Sequence, residues 1–262
     1  MSLARIELLT AKPESSPRAT PLLFVHGAWH GAWCWENFLP FFAAHGYAAY
    51  ALSLRGHGAS TGRAGLRWHS AARDYVADVA AVTATLPAPP VLIGHSMGGY
   101  VVQKYLERNS APGAVLMASV PVSGTSGFSV RYTRRNPRAA LRTVLTIDAG
   151  YLVGTPELAA DTFFSPDLPA RELSRHFARL GSESALVLLE TGLLALPRSR
   201  RVHTPMLVLG ATNDQVFTRA EVEATARAYR TTAEFFPMAH DMMLERGWEN
   251  VATRIINWLG NL

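Results

Sequence analysis

The 262-residue sequence is poor in cysteine and in charge, with one cysteine, Cys34, and only 17% charged residues. A single thiol permits no intramolecular disulfide bond and no multi-cysteine metal cluster. Intrinsic disorder and a coiled coil are both excluded, because 48% of the residues are hydrophobic and the charge content is low. The length predicts one large globular domain, or one domain that carries an insertion.

The sequence also lacks an apolar run long enough to cross a membrane. Its longest charge-free run, residues 79–103, contains three prolines and three glycines, so it cannot form one spanning helix. The first seven residues contain no apolar segment of the kind found in a signal peptide. We therefore expect a cytoplasmic protein with no membrane partner.

Lysine is scarce as well, since 23 of the 25 basic residues are arginine, and the net charge is +5. A nucleic-acid-binding surface would need these cations on one face or in one arm. They are instead spread along the chain, with one local excess between residues 124 and 203. The sequence therefore predicts no nucleic-acid partner.

Short apolar runs alternate with helical patterns along the chain, which is typical of a parallel sheet covered by helices. Several runs are continuously apolar, as expected for strands that are buried on both faces. The predicted strands are residues 6–9, 22–25, 48–52, 91–93, 114–117, 206–209 and 233–236. The predicted helices include residues 71–86, 97–108, 219–229 and 248–259. We predict an α/β fold with a mostly parallel sheet and helices on both faces.

One stretch, residues 124–203, interrupts this alternation with helical patterns and no buried strand. Eighty residues are too many for a plain loop, so we predict a helical cap over the carboxyl ends of the strands. The core would then consist of residues 1–123 and 204–262. The cap holds eleven arginines and seven acidic residues. A solvated face is the favoured interpretation of these arginines, and an anion-binding site is the alternative.

The strongest local signal is the sequence Gly-His-Ser-Met-Gly-Gly at residues 94–99, between a predicted strand and a predicted helix. This is the context of a Gly-x-Ser-x-Gly nucleophile elbow, in which a strained turn exposes the serine above the sheet. Gly94 and Gly98 leave room where a Cβ atom would clash. Ser96 would lie at the positive end of a helix, and we predict that it is a nucleophile.

A serine nucleophile needs a base, and the base needs an orienting carboxylate. His240 and Asp214 each follow a predicted strand, and the order Ser96, Asp214, His240 is that of an α/β-hydrolase triad. Taken alone, His240 could be a polar residue at a helix entrance, and Asp214 could cap the helix that begins near Thr218. Asp241 is interpreted as a supporting or capping residue, because neighbours in sequence rarely orient each other's side chains.

An oxyanion hole would require two backbone N–H groups directed at the developing negative charge. Met97, directly after the nucleophile, supplies one, and Ala28, in the loop after the strand at 22–25, supplies the other. We expect His26 to hold this loop by local hydrogen bonds rather than to transfer protons. His57 is interpreted as part of a structural turn beside the site, and Cys34 as a small buried apolar residue.

At these residues the sequence resembles the α/β-hydrolase superfamily, including its bacterial members, over nearly the whole chain. Residues 26–35, His-Gly-Ala-Trp-His-Gly-Ala-Trp-Cys-Trp, resemble the plant methylesterase and hydroxynitrile lyase branch. The resemblance implies a cofactor-free serine esterase with a helical cap over its pocket. It also implies the same catalytic and oxyanion residues, namely Ser96, Asp214 and His240 with Ala28 and Met97.

Some positions depart from relatives with other chemistry. The lyases have a threonine in place of Gly27 and a lysine in place of Asp241, and both groups handle the cyanohydrin. Haloalkane dehalogenases and epoxide hydrolases use an aspartate nucleophile, whereas position 96 is serine. The amino-terminal part is also short for the usual opening hairpin, so we expect a reduced sheet at that edge.

The prediction is a serine-dependent hydrolase of carboxylic esters or related small acyl compounds, with no metal and no organic cofactor. Its partner would be a small-molecule ester or acyl substrate. Other chemistry on the same site is the nearer alternative: a lyase, thioesterase, lactonase or perhydrolase. A small-ligand receptor that does not turn over esters is the more distant alternative.

Overall fold

The computed structural model describes residues 5–262 of the chain. The expectation of no signal-peptide segment concerns residues 1–7, of which residues 1–4 lie outside the described residues. The strands are β1 (Glu7–Ala11), β2 (Leu22–Val25), β3 (Ala49–Ser53), β4 (Val91–His95), β5 (Ala114–Met117), β6 (Met206–Ala211) and β7 (Ala233–Phe236). They form one sheet in the order β1-β3-β2-β4-β5-β6-β7. The α/β prediction is confirmed, and each predicted strand is present.

Of the α-helices in the described residues, five lie within residues 124–203, the inserted segment, and five lie outside it. They are α1 (Phe38–Ala44), α2 (Val76–Thr83), α3 (Met97–Leu106), α4 (Ser126–Arg135), α5 (Pro137–Thr146), α6 (Pro156–Phe163), α7 (Ala170–Phe177), α8 (Ala185–Leu189), α9 (Arg219–Ala228) and α10 (Trp248–Leu259). The helix predicted at 71–86 begins as a π-helical turn, Ala71–Tyr75, before α2. The short helix α1 was not predicted, because seven residues around Pro40 show little helical periodicity.

In the order of the sheet, all neighbouring strands from β3 through β2, β4, β5 and β6 to β7 are parallel. The edge strand β1 pairs with β3 and is antiparallel to it. The five strands β2 to β6 are buried along their whole length, which explains their largely apolar sequences. At the β1 edge the described residues contain one strand and no opening hairpin, as the short amino-terminal part predicted. The loops after β2, β4, β6 and β7 leave the same edge of the sheet, because parallel strands end together.

Residues 124–203 contain helices α4–α8 and no strand, all within the described part of the chain. Two buried carboxylates fix this segment to the rest of the molecule. Glu183 accepts a hydrogen bond from Tyr75 Oη (2.8 Å), and Glu190 accepts one from the backbone N–H of Ala72 (3.2 Å). Within residues 5–262, no helix is long and apolar enough to span a bilayer.

Candidate active site

Ser96 lies in the turn between β4 and α3 with a strained backbone, φ 51° and ψ −118°. Such a conformation costs about 1–3 kcal/mol and persists only where the surroundings enforce it. A Cβ atom on Gly94 would lie 2.6 Å from the Gly98 carbonyl oxygen, and one on Gly98 would clash with the carbonyl oxygen of Val25. The two glycines therefore allow the close packing of α3 on the sheet that forms the turn. Ser96 is half-buried, while its neighbours on either side are buried.

The structure brings Ser96, His240 and Asp214 together, although they are far apart in sequence. Ser96 Oγ lies 3.0 Å from His240 Nε2, and His240 Nδ1 lies 3.0 Å from both Asp214 carboxylate oxygens. A carboxylate only accepts, so Nδ1–H donates to Asp214 and Nε2 is left to accept the Ser96 hydroxyl proton. The His240 and Asp214 side chains are each 1% exposed. This is the geometry of a nucleophile, its base and an orienting carboxylate.

Asp214 is also held by the turn in which it lies. Its Oδ1 accepts the backbone N–H groups of Val216 (2.7 Å) and Phe217 (3.1 Å). The cap of α9 is a different residue, Thr218, which forms a capping box with Glu221. The capping alternative for Asp214 therefore does not describe this structure, because the α9 cap is formed without it.

The environment of His240 favours its protonated form. Burial alone disfavours the imidazolium, but the charge of Asp214 and its hydrogen bond outweigh burial, with a smaller effect of Asp241. The pKa of His240 is therefore raised above its ordinary value of 6.5. A raised pKa makes the ring a stronger acceptor for the serine proton.

Both predicted oxyanion donors lie beside Ser96. Met97 is the first residue of α3, and the backbone N–H groups of Met97 and Ala28 donate to no protein atom within residues 5–262. The loop of Ala28 approaches the nucleophile closely, since a Cβ atom on Gly27 would lie 3.1 Å from Ser96 Cβ. Trp29, the next residue in the loop, adopts a positive φ of 64°. Two unpartnered N–H groups at such a position can stabilise an oxyanion.

His26 has the holding role that we expected. Its Nδ1–H donates to the Gly27 carbonyl (2.7 Å), and its Nε2 accepts the Leu54 backbone N–H (3.0 Å). Burial, followed by repulsion from His57, lowers the pKa of His26. Both nitrogens of a neutral ring are therefore engaged in fixing the loop after β2 to the loop after β3. Cys34 is buried, as predicted.

Two buried hydrogen-bonded pairs around the site were not predicted from the sequence. His57 pairs with Glu183 of the inserted segment, with 3.1 Å between Nε2 and Oε2. His30 pairs with Asp241, with 2.9 Å between Nε2 and Oδ2. A signal for His30 was present, because the His-Gly-Ala-Trp sequence that begins at His26 is repeated four residues later.

Aromatic side chains cover the His240 ring. Phe163 of α6 stacks on it with 6.0 Å between the ring centroids, and Phe217 packs against it edge-on at 5.5 Å. The inserted segment thus contributes an aromatic wall beside His240.

Three arginines of the inserted segment form ion pairs with acidic side chains outside that segment. Arg131 pairs with Glu221, and Arg175 and Arg179 pair with Glu36. These contacts support the interpretation of the arginines as surface residues over that of an anion site.

Three possible metal-ligating residues, His95, His240 and Asp241, offer ligand atoms within 4.8 Å of one another. Both ring nitrogens of His240 are already bonded, to Ser96 and Asp214, and His95 Nε2–H donates to the His240 carbonyl (3.0 Å). A metal ion bound by His240 would have to break one of the two hydrogen bonds of its ring. The donor arrangement therefore fits a proton-transfer site better than a metal centre.

Comparison with known proteins identifies the family to which this fold and site belong. The model of the alpha/beta hydrolase family matches residues 22–254. The chain belongs to the alpha/beta hydrolase family, and the resemblance inferred from its motifs is confirmed.

Relatives at higher identity match only part of the chain. The non-heme chloroperoxidase of Streptomyces lividans is 41% identical over 109 residues, which are 38% of this chain and 37% of the relative. Methylesterase 2 of Arabidopsis thaliana is 37% identical over 84 residues, 31% of this chain and 32% of the relative. The matched part thus spans well under half the length of these relatives.

Solved structures match over nearly the whole chain at low identity. A thermophilic esterase from Thermogutta terrifontis superposes with a TM-score of 0.75 and 19% identity, covering 98% of this chain and 93% of that one. At this identity the likeness shows the fold alone.

Proposed function

We propose that the protein is a serine-dependent hydrolase of carboxylic esters or related small acyl compounds, which acts through an acyl-enzyme on Ser96. The observation that carries the proposal is the hydrogen-bonded chain from Ser96 Oγ through His240 to Asp214, each step 3.0 Å long. The relationship to a methylesterase supports the same class of reaction.

In the first half-reaction, Ser96 Oγ attacks the carbonyl carbon of the ester while its proton passes to His240 Nε2. Asp214 keeps the His240 proton on Nδ1 and stabilises the imidazolium that forms. The oxyanion accepts hydrogen bonds from the N–H groups of Ala28 and Met97, and the amino-terminal end of α3 favours its negative charge. His240 then donates its proton to the leaving alcohol, and the acyl group remains on Ser96.

In the second half-reaction, His240 takes a proton from a water molecule, which attacks the acyl carbon through a second oxyanion. The intermediate collapses, the proton returns to Ser96 Oγ, and the free acid leaves. Atoms and charges balance without a metal or organic cofactor, so we propose none.

We propose further that residues 124–203 act as a cap over this site, with residues 1–123 and 204–262 as the core. Phe163 supports this role, because it is a residue of the inserted segment that lies against His240. Since the walls nearest the base are aromatic, the substrate that we propose is a small ester with an apolar acyl group.

The first experiment is hydrolysis of p-nitrophenyl esters from acetate to decanoate by the wild type and by Ser96→Ala. We expect turnover by the wild type and loss of at least about 10³-fold in the variant, since the nucleophile is removed. The chain-length optimum would report the depth of the pocket. Wild-type rates in Ser96→Ala would refute the acyl-enzyme mechanism.

A second candidate is perhydrolysis on the same site, which the relationship to a non-heme chloroperoxidase favours. Hydrogen peroxide would replace water in the second half-reaction, and a peracid would be released instead of the acid. The assay is the same ester hydrolysis with added peroxide and a peracid-specific dye. Ser96-dependent peracid at the expense of acid would favour this candidate, and acid alone would favour the hydrolase.

Lyase chemistry of the hydroxynitrile type receives no support from the site. Position 27 is glycine and position 241 is an aspartate whose carboxylate is engaged by His30. Neither offers the threonine hydroxyl or lysine ammonium group that handles the cyanohydrin in those lyases.

A further inference from the structure

The loops that carry the nucleophile, the base and the Ala28 N–H are joined by two buried histidines. His95, directly before Ser96, donates from Nε2 to the carbonyl oxygen of His240 (3.0 Å). His30, in the loop after β2, contacts the carboxylate of Asp241 (2.9 Å). His240 and Asp241, in the loop after β7, are therefore each hydrogen-bonded to a histidine of another loop. His95 lies at the end of β4, and His30 lies in the loop after β2.

Both ring nitrogens of His30 form hydrogen bonds. Nδ1 lies 2.7 Å from the carbonyl oxygen of Ala28, which can only accept, so Nδ1 carries a proton. Burial favours the neutral acid at Asp241, but the charge and hydrogen bond of His30 hold the pKa of that carboxyl below its ordinary value. The contact between His30 Nε2 and Asp241 Oδ2 is a buried hydrogen bond, with side chains 1% and 0% exposed.

The strain of the Ala28 loop explains why such a pair is needed. Trp29 has a φ of 64°, in the left-handed region that a bulky residue rarely adopts. The carbonyl of Ala28 belongs to the peptide bond between Ala28 and the strained Trp29, and His30 Nδ1–H donates a hydrogen bond to that carbonyl. A buried pair of ionisable side chains gains little net stability after the cost of desolvation, so a positioning role accounts for it better than stability does.

We propose that the hydrogen-bonded His30–Asp241 pair holds the Ala28 N–H in the direction of the transition-state oxyanion, which makes both members positioning residues. The inference rests on the proposed function and deepens it, because it assigns the residue after the base to the oxyanion hole. Asp241 does not orient the base itself, since His240 Nδ1 is bonded to both oxygens of Asp214.

This role has a kinetic signature. The oxyanion exists only in the transition state and the tetrahedral intermediates, so a misdirected Ala28 N–H lowers kcat and leaves KM nearly unchanged. A tetrahedral boronate adduct on Ser96 carries the same negative oxygen, so its affinity falls together with kcat. If the pair were purely structural, its loss would change thermal stability and leave kcat and the boronate affinity unchanged.

The test compares the wild type with Asp241→Asn, His30→Gln and the double variant, using p-nitrophenyl acetate hydrolysis and inhibition by phenylboronic acid. Glu190→Gln is the matched control, because it removes another buried carboxylate, one that accepts hydrogen bonds from Ser70 and Ala72. Melting temperatures are recorded for all variants, and kinetics are measured well below them. If Asp241→Asn does not fold, His30→Gln carries the comparison.

We expect each single variant to lose about 10- to 100-fold in kcat, less than the loss from deleting an oxyanion donor outright. KM should stay within about twofold, and boronate affinity should fall by the same factor as kcat. The double variant should lose no more than the worse single variant, since the two residues act as a unit. Glu190→Gln should lower the melting temperature and leave kcat and boronate affinity near the wild-type values.

Unchanged kcat and boronate affinity in a folded Asp241→Asn would overturn the inference, as would losses that add in the double variant. A rise in KM alone would also overturn it, because it would assign the pair to substrate binding. Absence of Ser96-dependent hydrolysis in the wild type is a different result, which refutes the proposed function.

Discussion

Phe163 lies nearly parallel to the ring of His240, with 24° between their planes and 6.0 Å between their centroids. Phe163 is 3% exposed and also packs against Trp29, at 5.8 Å between ring centroids. One side chain of the inserted segment therefore contacts both the proposed base and the loop of the proposed oxyanion donor.

The first prediction is that Phe163→Ala impairs catalysis beyond its effect on folding. Loss of a buried phenylalanine should destabilise the fold by about 3–5 kcal/mol, and the cavity should admit water beside His240. We expect kcat/KM for p-nitrophenyl esters to fall by about 10-fold or more, because water weakens the electrostatic interactions at the site.

Phe164→Ala is the matched control, since Phe164 is also buried but stacks on His176, with centroids 5.6 Å apart. It should lose a similar free energy of unfolding in urea and keep kcat/KM near the wild-type value. Equal losses of activity in the two variants would assign Phe163 a packing role only.

The second prediction concerns the orienting carboxylate. Asp214→Asn should lower kcat by about 10⁴-fold, the cost of the same change in serine proteases, because the amide favours the wrong tautomer of His240. The loss is measured as the rate of p-nitrophenyl ester hydrolysis by the folded variant. Asp161→Asn, at a half-exposed carboxylate 3.8 Å from Arg135, should be neutral. Activity within about 10-fold of the wild type in Asp214→Asn would mean that another group orients the base.

The alternation of apolar runs was sufficient to predict the fold, because strands buried on both faces must be continuously apolar. The residues proposed for catalysis each follow a strand, so their meeting at one sheet edge was also predictable. The His30–Asp241 pair was not, because its members lie 211 residues apart and no spacing in the sequence links them. The His57–Glu183 pair was missed for the same reason, since its 126-residue separation reflects how the inserted segment packs.

The third prediction is a pH dependence of kcat/KM that reports His240. The base must be neutral to accept the Ser96 proton, so activity should fall with decreasing pH as His240 becomes protonated. Because Asp214 raises the pKa of His240 above 6.5, the midpoint of this acid limb should lie above pH 6.5. Rates measured between about pH 5 and 9 locate the midpoint. In Asp214→Asn, whose residual activity remains measurable with excess enzyme, the midpoint should move to lower pH, and an unchanged midpoint would contradict the assignment.

The fourth prediction links pH to the attachment of the inserted segment. His57 is buried, which disfavours its charged form, but the charge of Glu183 and its hydrogen bond raise the pKa of His57 above 6.5. A group with a raised pKa in the folded state contributes stability that is complete below its unfolded pKa. That contribution is lost as the pH rises through the folded pKa. The wild type should therefore lose this part of its stability from about pH 6.5 upward.

Glu183→Gln isolates this contribution, because the amide oxygen can still accept from Tyr75 while the negative charge is removed. Unfolding by urea should show the largest free-energy difference between wild type and variant near pH 6 and a smaller one near pH 9. Since His240 titrates in both proteins, its contribution cancels in the difference. If the difference in unfolding free energy between wild type and variant is the same at both pH values, the carboxylate stabilises the fold without charging His57. The contact would then be a neutral hydrogen bond.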